Sequence, residues 1–540
     1  MKKTKRTLAA MLAATLMLSL TACGGSGGTG GSGTAGGSGG NAPASEAAGD
    51  TKASQEKKEP IVVNVCESSG NSVISLDFYK YSLHPEWQYA ECCYDSLLHA
   101  SYDGKFEPEI CTSYEIADDG LSAVLHLAEN VKFQDGTDCN ADDVVATLNY
   151  LAENKGTLAM ISNVWKNLAG AEKVDDHTVK VNMEYKSHVF EIALGYTFIL
   201  SDEDLAKYGD QMWAQGVVNG TGPWKFVEWI DGQYVKFARN DDYWKGVNTN
   251  VDELNIWYIT EANTVVSSLV SGEIDAVAKV DYDLLPMIEG NEDFTLTPYM
   301  VDSMNYIQFK CGPGDAFEDI NFRKAVCHAI NYEAFLNFYG GGQVLECAAT
   351  PGNDGYVEKG GYKYDPELAK SYLAQTNYDG RELTLASWTS QQNECTAIAA
   401  DLAAIGVNVK LNLCDSAAFS ALRSEGNYDM FYGGVATWDG DLMTQYMVPR
   451  IRDDCHHHGY VDERINEILT KADAETDREK RKAMLEEVIS WMYDNYGPIT
   501  GTVIKESKSC VRKGLEGINQ MAGGIMFFRD VKVDESVWNK

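Results

Sequence analysis

The chain has 540 residues, with 45 Lys and Arg against 80 Asp and Glu, and a formal net charge of −35. With 44% hydrophobic and 23% charged residues it has the composition of a folded protein, long enough for two to four domains. So acidic a surface repels phosphates, which excludes nucleic acid as a partner and excludes docking on anionic lipid through a basic face.

The N-terminus reads as an address and a tether. Lys2, Lys3, Lys5 and Arg6 precede an apolar run from Thr7 to Leu20. At about 14 residues that run is too short to span a bilayer core of ~30 Å as a helix, and it has the layout of a secretory signal peptide. It ends in Leu20-Thr21-Ala22-Cys23, which resembles the bacterial lipobox and implies lipidation at Cys23. Residues 24–40 are nearly all Gly, Ser and Thr, and residues 41–60 continue polar. Such a tether is a flexible coil with an r.m.s. reach on the order of 30–35 Å. Gly24-Gly25-Ser26-Gly27-Gly28 fits G-x-S-x-G by chance, since no strand precedes it and no helix follows. Removing residues 1–22 takes away four basic residues and no acid, so the mature charge sharpens to −39.

Strands and helices then interleave. Ile61–Val65 is an apolar run that reads as a buried strand. Leu121–Leu127 and Val179–Met183 follow as strands, the latter after a turn at Asp175-Asp176. Asn140 caps a helix that aligns Ala141, Val144, Val145, Leu148 and Leu151, with Asp142 and Asp143 complementing its dipole. Tyr234–Ala238 is a strand after the Asp231-Gly232 turn. Asp365-Pro366-Glu367 opens a helix with proline at its first position. Glu394–Ala404 is helical, Gly406 stops it, and Val407–Leu413 is a strand. Thr476-Asp477-Arg478-Glu479 reads as a capping box, with Thr476 as cap. Interleaved elements give an α/β class with mixed sheets. There is no internal repeat. Most of the 13 cysteines sit in apolar runs without any CxxC, which favours buried free thiols.

Ten short segments then occur in a recognisable order. They include Tyr94-Asp95-Ser96-Leu97-Leu98, Tyr102-Asp103-Gly104-Lys105, Pro108-Glu109-Ile110, Asp118-Asp119-Gly120-Leu121 and Val131-Lys132-Phe133-Gln134-Asp135-Gly136-Thr137. Further on come Asn219-Gly220-Thr221-Gly222-Pro223-Trp224, Asn240-Asp241-Asp242-Tyr243-Trp244, Leu269-Val270-Ser271-Gly272-Glu273-Ile274-Asp275 and Phe322-Arg323-Lys324-Ala325-Val326. Together they resemble the extracytoplasmic solute-binding proteins of family 5, the oligopeptide, dipeptide and nickel receptors of ABC importers, over residues 60–540.

The resemblance implies a two-lobed fold of periplasmic-binding-protein type with a hinged ligand cleft. The first lobe would span residues 61–303 with an inserted subdomain at about 93–214. The second would span 304–494, and 495–540 would return to the first, with hinges near 301–304 and 494–497. It also implies a non-enzymatic, monomeric receptor without cofactor, lipid-anchored outside the cytoplasmic membrane, that captures a peptide or other small solute for permease and ATPase subunits. In dipeptide-type relatives a Trp-and-Asp segment faces the cleft. Here that segment contains Trp438, Asp439 and Asp441, either Asp being able to take the ligand's ammonium through a charge-assisted hydrogen bond. The relatives often carry Asp-Pro where this chain has Asp441-Leu442. Arg450 and Arg452 are the candidates for the ligand's carboxylate, since arginine pairs bidentately with it. Cys455-His456-His457-His458 is a weaker candidate for nickel or a metal chelate, because consecutive side chains do not converge on one ion. The Gly220–Pro223 segment reads as a turn whose glycines take positive φ. Trp224, Trp229, Tyr243, Trp244 and Trp257 read mostly as core. A secreted glycoside hydrolase is the enzymatic alternative, since Trp-rich grooves and paired carboxylates suit sugars. HExxH, Walker A and Rossmann signatures are absent.

Overall fold

Two long strands organise the protein: Phe294–Phe309 and Ile499–Arg512, paired antiparallel along most of their length. The structure is a computed structural model that describes residues 59–67, 72–81, 84–101, 105–162, 164–436, 451, 457–520 and 524–538. Trp438, Asp439, Asp441, Arg450, Arg452, His456 and Cys23 lie outside the described residues. The compact body is Glu59–Lys540.

On one side of the long pair the sheet continues through Met430–Ala436, Leu383–Trp388 and Val409–Cys414. These three are mutually parallel, and helix Gln392–Ala404 makes the crossover from Leu383–Trp388 to Val409–Cys414. On the other side it continues through Ala276–Val277, Val62–Glu67, Glu253–Tyr258, Tyr234–Arg239 and Trp224–Ile230. Val62–Glu67 is parallel to both of its neighbours, while Tyr234–Arg239 is antiparallel to both of its own. The sheet is therefore mixed, as the interleaved sequence pattern predicts. Its two halves carry separate apolar cores. One gathers residues from Ile61 to Ala278 together with Leu515, Met526, Phe527 and Val531. A smaller one joins Cys66, Val265–Ile288 and Cys510, and two others draw on Met304–Ile504 and Ile307–Val503.

A second, four-stranded antiparallel sheet runs in the order Cys111–Ile116, Ser122–Leu127, Thr178–Met183, Leu168–Asp175. Ser122–Leu127 and Thr178–Met183 alternate between buried and half-buried residues, so one face is dry. Helix Ala141–Asn154 packs on this sheet through Val144, Thr147, Leu148 and Leu151. Asn140 caps it as expected: its side chain accepts from Asp142 N at 2.7 Å, and Asp143 accepts from Asn140 N at 2.9 Å.

Two local features differ from the sequence pattern. The helix Arg478–Asp494 is capped by Asp477, not Thr476; Asp477 accepts from Glu479 N at 3.1 Å and Lys480 N at 3.2 Å. Asp and Thr both cap well, and their adjacency hides a one-residue shift. Gly220 and Gly222 do not adopt positive φ. They are glycine because the chain crosses the Cys92–Tyr94 backbone too closely for a side chain: a Cβ on Gly222 would stand 2.5 Å from Cys93 C and 2.7 Å from Cys92 O. All eleven described cysteines are free, and all but Cys414 are buried. Burial pushes the Cys66 thiol up to about 11 and the Cys327 thiol to about 12, so both stay protonated and unreactive.

Candidate functional site

The long strands do not pair evenly. Met300 lies opposite Glu506 and Met304 opposite Ile504, so four steps on one strand face two on the other. Between Met304 and Tyr306 the partner advances from Ile504 to Gly501, and the excess changes sides. Such bulges bend a ladder and re-aim its side chains. The irregularity opens onto a cavity of about 550 Å³, within the range of small-molecule sites.

The cavity is walled by both halves of the sheet. From one side come Glu67, at the end of its strand, and Lys279, Asp281, Tyr282 and Asp283. The long strands supply Tyr299, Ser303, Asn305 and Lys505–Lys508. From the other side come Phe338, Tyr339 and Gly340 at the end of helix Tyr332–Tyr339, with Ser390 and Glu394. Ser390 and Glu394 follow the C-terminal end of the parallel strand Leu383–Trp388, the end at which α/β sheets bind ligands.

One wall of the cleft is fixed by hydrogen bonds. Asn305 Nδ2 donates to Tyr432 Oη at 2.8 Å and to Tyr339 Oη at 3.3 Å. Tyr339 in turn donates to the buried carboxylate of Glu394. Lys505 Nζ lies 4.2 Å from the centre of the Tyr339 ring. Burial holds the Lys505 ammonium below the usual lysine range, opposed by the charge of Glu394 and reinforced by that of Lys279.

The sequence-predicted segment begins at this cleft. Ala436 ends its strand and is the ladder partner of Ser303, which lines the cavity. The candidates that follow it are outside the described residues. His457 is exposed, whereas His458 is buried and its Nδ1 accepts from Tyr460 N at 3.0 Å. These adjacent histidines thus occupy different environments. Lys505, Tyr339 and Glu394 were not anticipated as site residues. They come from three distant stretches and belong to no local motif; only the fold assembles them.

The family-like segments have another role. Asp95 accepts from Tyr243 Oη at 3.0 Å, Trp244 Nε1 at 2.7 Å and Arg529 Nη2 at 3.0 Å, while its backbone N–H donates to Thr221 Oγ1 at 3.0 Å. Arg529 Nη1 also donates to Glu109 at 2.8 Å, and Lys245 pairs with the same carboxylate. His99 lies 4.0 Å from Glu91 and Glu109, yet it is neutral at pH 7: burial, then Arg529 and Lys245, push its pKa down to about 3. Burial pushes Glu91 up to about 7, against the pull of Arg529. Four of the segments thus meet in one buried polar network, away from the cleft. Trp224 is fully buried and donates to Phe528 O at 3.0 Å.

Two half-sheets joined by long strands, with a polar cavity at their irregular pairing, define a two-lobed solute receptor. The family comparison gives the same answer. Residues 105–449 match the bacterial extracellular solute-binding proteins, family 5, and the chain belongs to that family. It is 27% identical over 394 residues to the glutathione-binding protein GsiB of Salmonella typhimurium, covering 70% of this chain and 76% of that protein. Its fold matches HbpA2 from Haemophilus parasuis with a TM-score of 0.76 at 22% identity, over 88% of this chain and 100% of the other. It also matches the oligopeptide-binding protein AppA of Bacillus subtilis, in complex with a nonapeptide, with a TM-score of 0.70 at 20% identity, over 88% and 100%. No described helix is long and apolar enough to cross a membrane.

Proposed function

We propose that this protein is the substrate-binding lipoprotein of an ABC importer, capturing extracellular oligo- or dipeptides and handing them to a membrane permease. The observation that carries the peptide reading is the cavity's mixed charge. Glu67, Asp281, Glu394 and Glu506 share it with Lys279, Lys505 and Lys508, which suits a ligand bearing both an ammonium and a carboxylate. Relatives named for glutathione and oligopeptide binding support the same class. The lobes divide as residues 61–303 and 304–494, with 495–540 returning to the first. The four-stranded sheet, which falls within 93–214, and the uneven ladder at 300–306 support that division. Cys23 carries the lipid and residues 24–60 the tether. Closure of the lobes is driven only by tighter binding of ligand to the closed state.

Thermal shift of the mature chain against dipeptides, oligopeptides, glutathione and nickel–histidine tests this. A ligand at 100 times its Kd adds about 2.7 kcal/mol of stability, which raises Tm measurably. Stabilisation by a peptide is expected. A response to the nickel chelate alone, through the His456–His458 segment, replaces the peptide reading with metal-chelate capture.

A further inference from the structure

Lys505 occupies an unusual position. It lies between Ile504 and Glu506, where the ladder with Phe294–Phe309 is irregular, and opposite Gly342 of the short strand Gly342–Val344. Its side chain is largely withdrawn from water and lines the cavity. An ammonium has three donors to satisfy. Within the described residues its ammonium makes no hydrogen bond or ion pair; the face of Tyr339 supplies cation–π attraction but no oxygen acceptor. The nearby carboxylate of Glu394 is already engaged by the Tyr339 hydroxyl. A fixed seat has thus been built beneath a cation whose own donors remain available to the cavity.

We propose that Lys505 binds a free carboxylate of the ligand, with Tyr339 and Glu394 holding the ammonium in place. This rests on the peptide reading above and sharpens it: the ligand presents an unblocked carboxylate to the long strands, in place of the contact with Arg450 or Arg452 that the sequence suggests. In a site drawn out of water, a charge-assisted bond discriminates strongly against a neutral amide. The acids sharing the cavity leave one end for the ligand's ammonium, so zwitterions are favoured over simple anions.

The test uses the mature chain and two probes: a mixed library of di- and tripeptides with free C termini, and the same library C-terminally amidated. Thermal-shift titration of the wild type should show the free acids binding about tenfold to a hundredfold more tightly than the amides. Lys505→Met should lose that discrimination, and Lys505→Arg should keep most of it. Equal binding of acids and amides by the wild type overturns the assignment of Lys505 while leaving peptide capture intact, and needs no variant to fold. Retained discrimination in Lys505→Met also overturns it, since the carboxylate then binds elsewhere. Failure of both libraries to bind overturns the peptide reading and this inference with it.

Discussion

Tyr282 lies against the bare Cα of Gly340, with its ring where a side chain on that glycine would stand. The two residues come from opposite walls of the cavity. Gly340 has φ of 69°, ending helix Tyr332–Tyr339 in the left-handed conformation. Glycine is therefore required twice, for its backbone and for its missing Cβ. Gly340→Ala should weaken ligand binding by about tenfold, because closing the walls then means displacing the Tyr282 ring. Tyr282→Ala in the Gly340→Ala background should recover part of the loss. A double-mutant cycle on ligand Kd checks this, and additive effects would refute the contact as the cause.

At Gly222 the constraint is steric alone. Its neighbours within 3 Å of a hypothetical Cβ are backbone atoms of Cys92, Cys93 and Tyr94, which cannot swing aside. Gly222→Ala should therefore destabilise the protein by about 1–3 kcal/mol, the range for forcing extra volume into a packed core. Urea denaturation measures it.

The order of elements was legible because local signals and global fold agree. Asn140, Asp365 and Gly406 each mark a boundary through their own backbone chemistry. The Gly220–Gly222 segment was legible as special but for the wrong reason, because nothing local announces that Cys93 passes behind it. Lys505 and Arg529 were invisible. Each is one of several basic residues in its stretch, and only long-range pairing gives it a partner or a cavity. The displaced cap at Asp477 gives this difference a measure: Asp477→Ala should lower the unfolding midpoint and Thr476→Ala should leave it near wild type, by thermal or chemical unfolding.

The buried network predicts a pH dependence. Glu91 titrates near 4.5 when unfolded and at about 7 in the folded chain, raised by burial. The folded state therefore holds this proton more tightly, and the stability it confers is full below pH 4.5 and lost as pH rises to about 7. His99 acts oppositely: its pKa of about 3 means stability is lost as pH falls below 6.5. Comparing Glu91→Gln with the wild type isolates the first effect. The variant's relative stability should rise on the order of 2–3 kcal/mol between pH 4.5 and 8. A difference independent of pH would show that Glu91 stays ionised throughout, with Arg529 outweighing burial.

The register of Ala436 on Ser303 makes the aspartates that follow it separable by experiment. Strand Met430–Ala436 delivers the chain to the cavity edge, three residues before Asp439 and five before Asp441. On the peptide reading, a ligand's ammonium takes one of these two carboxylates as its main partner. Replacing each singly with Asn preserves shape and removes charge. One variant should lose about tenfold to a hundredfold in peptide affinity, and the other should remain near wild type. The loss should vanish for an N-acetylated peptide, which brings no ammonium to either position. Equal indifference at both positions would move the ammonium's partner to the other acids that line the cavity, Glu67, Asp281 or Glu506, for which the same charge-removing substitutions and the same acetylated probe decide.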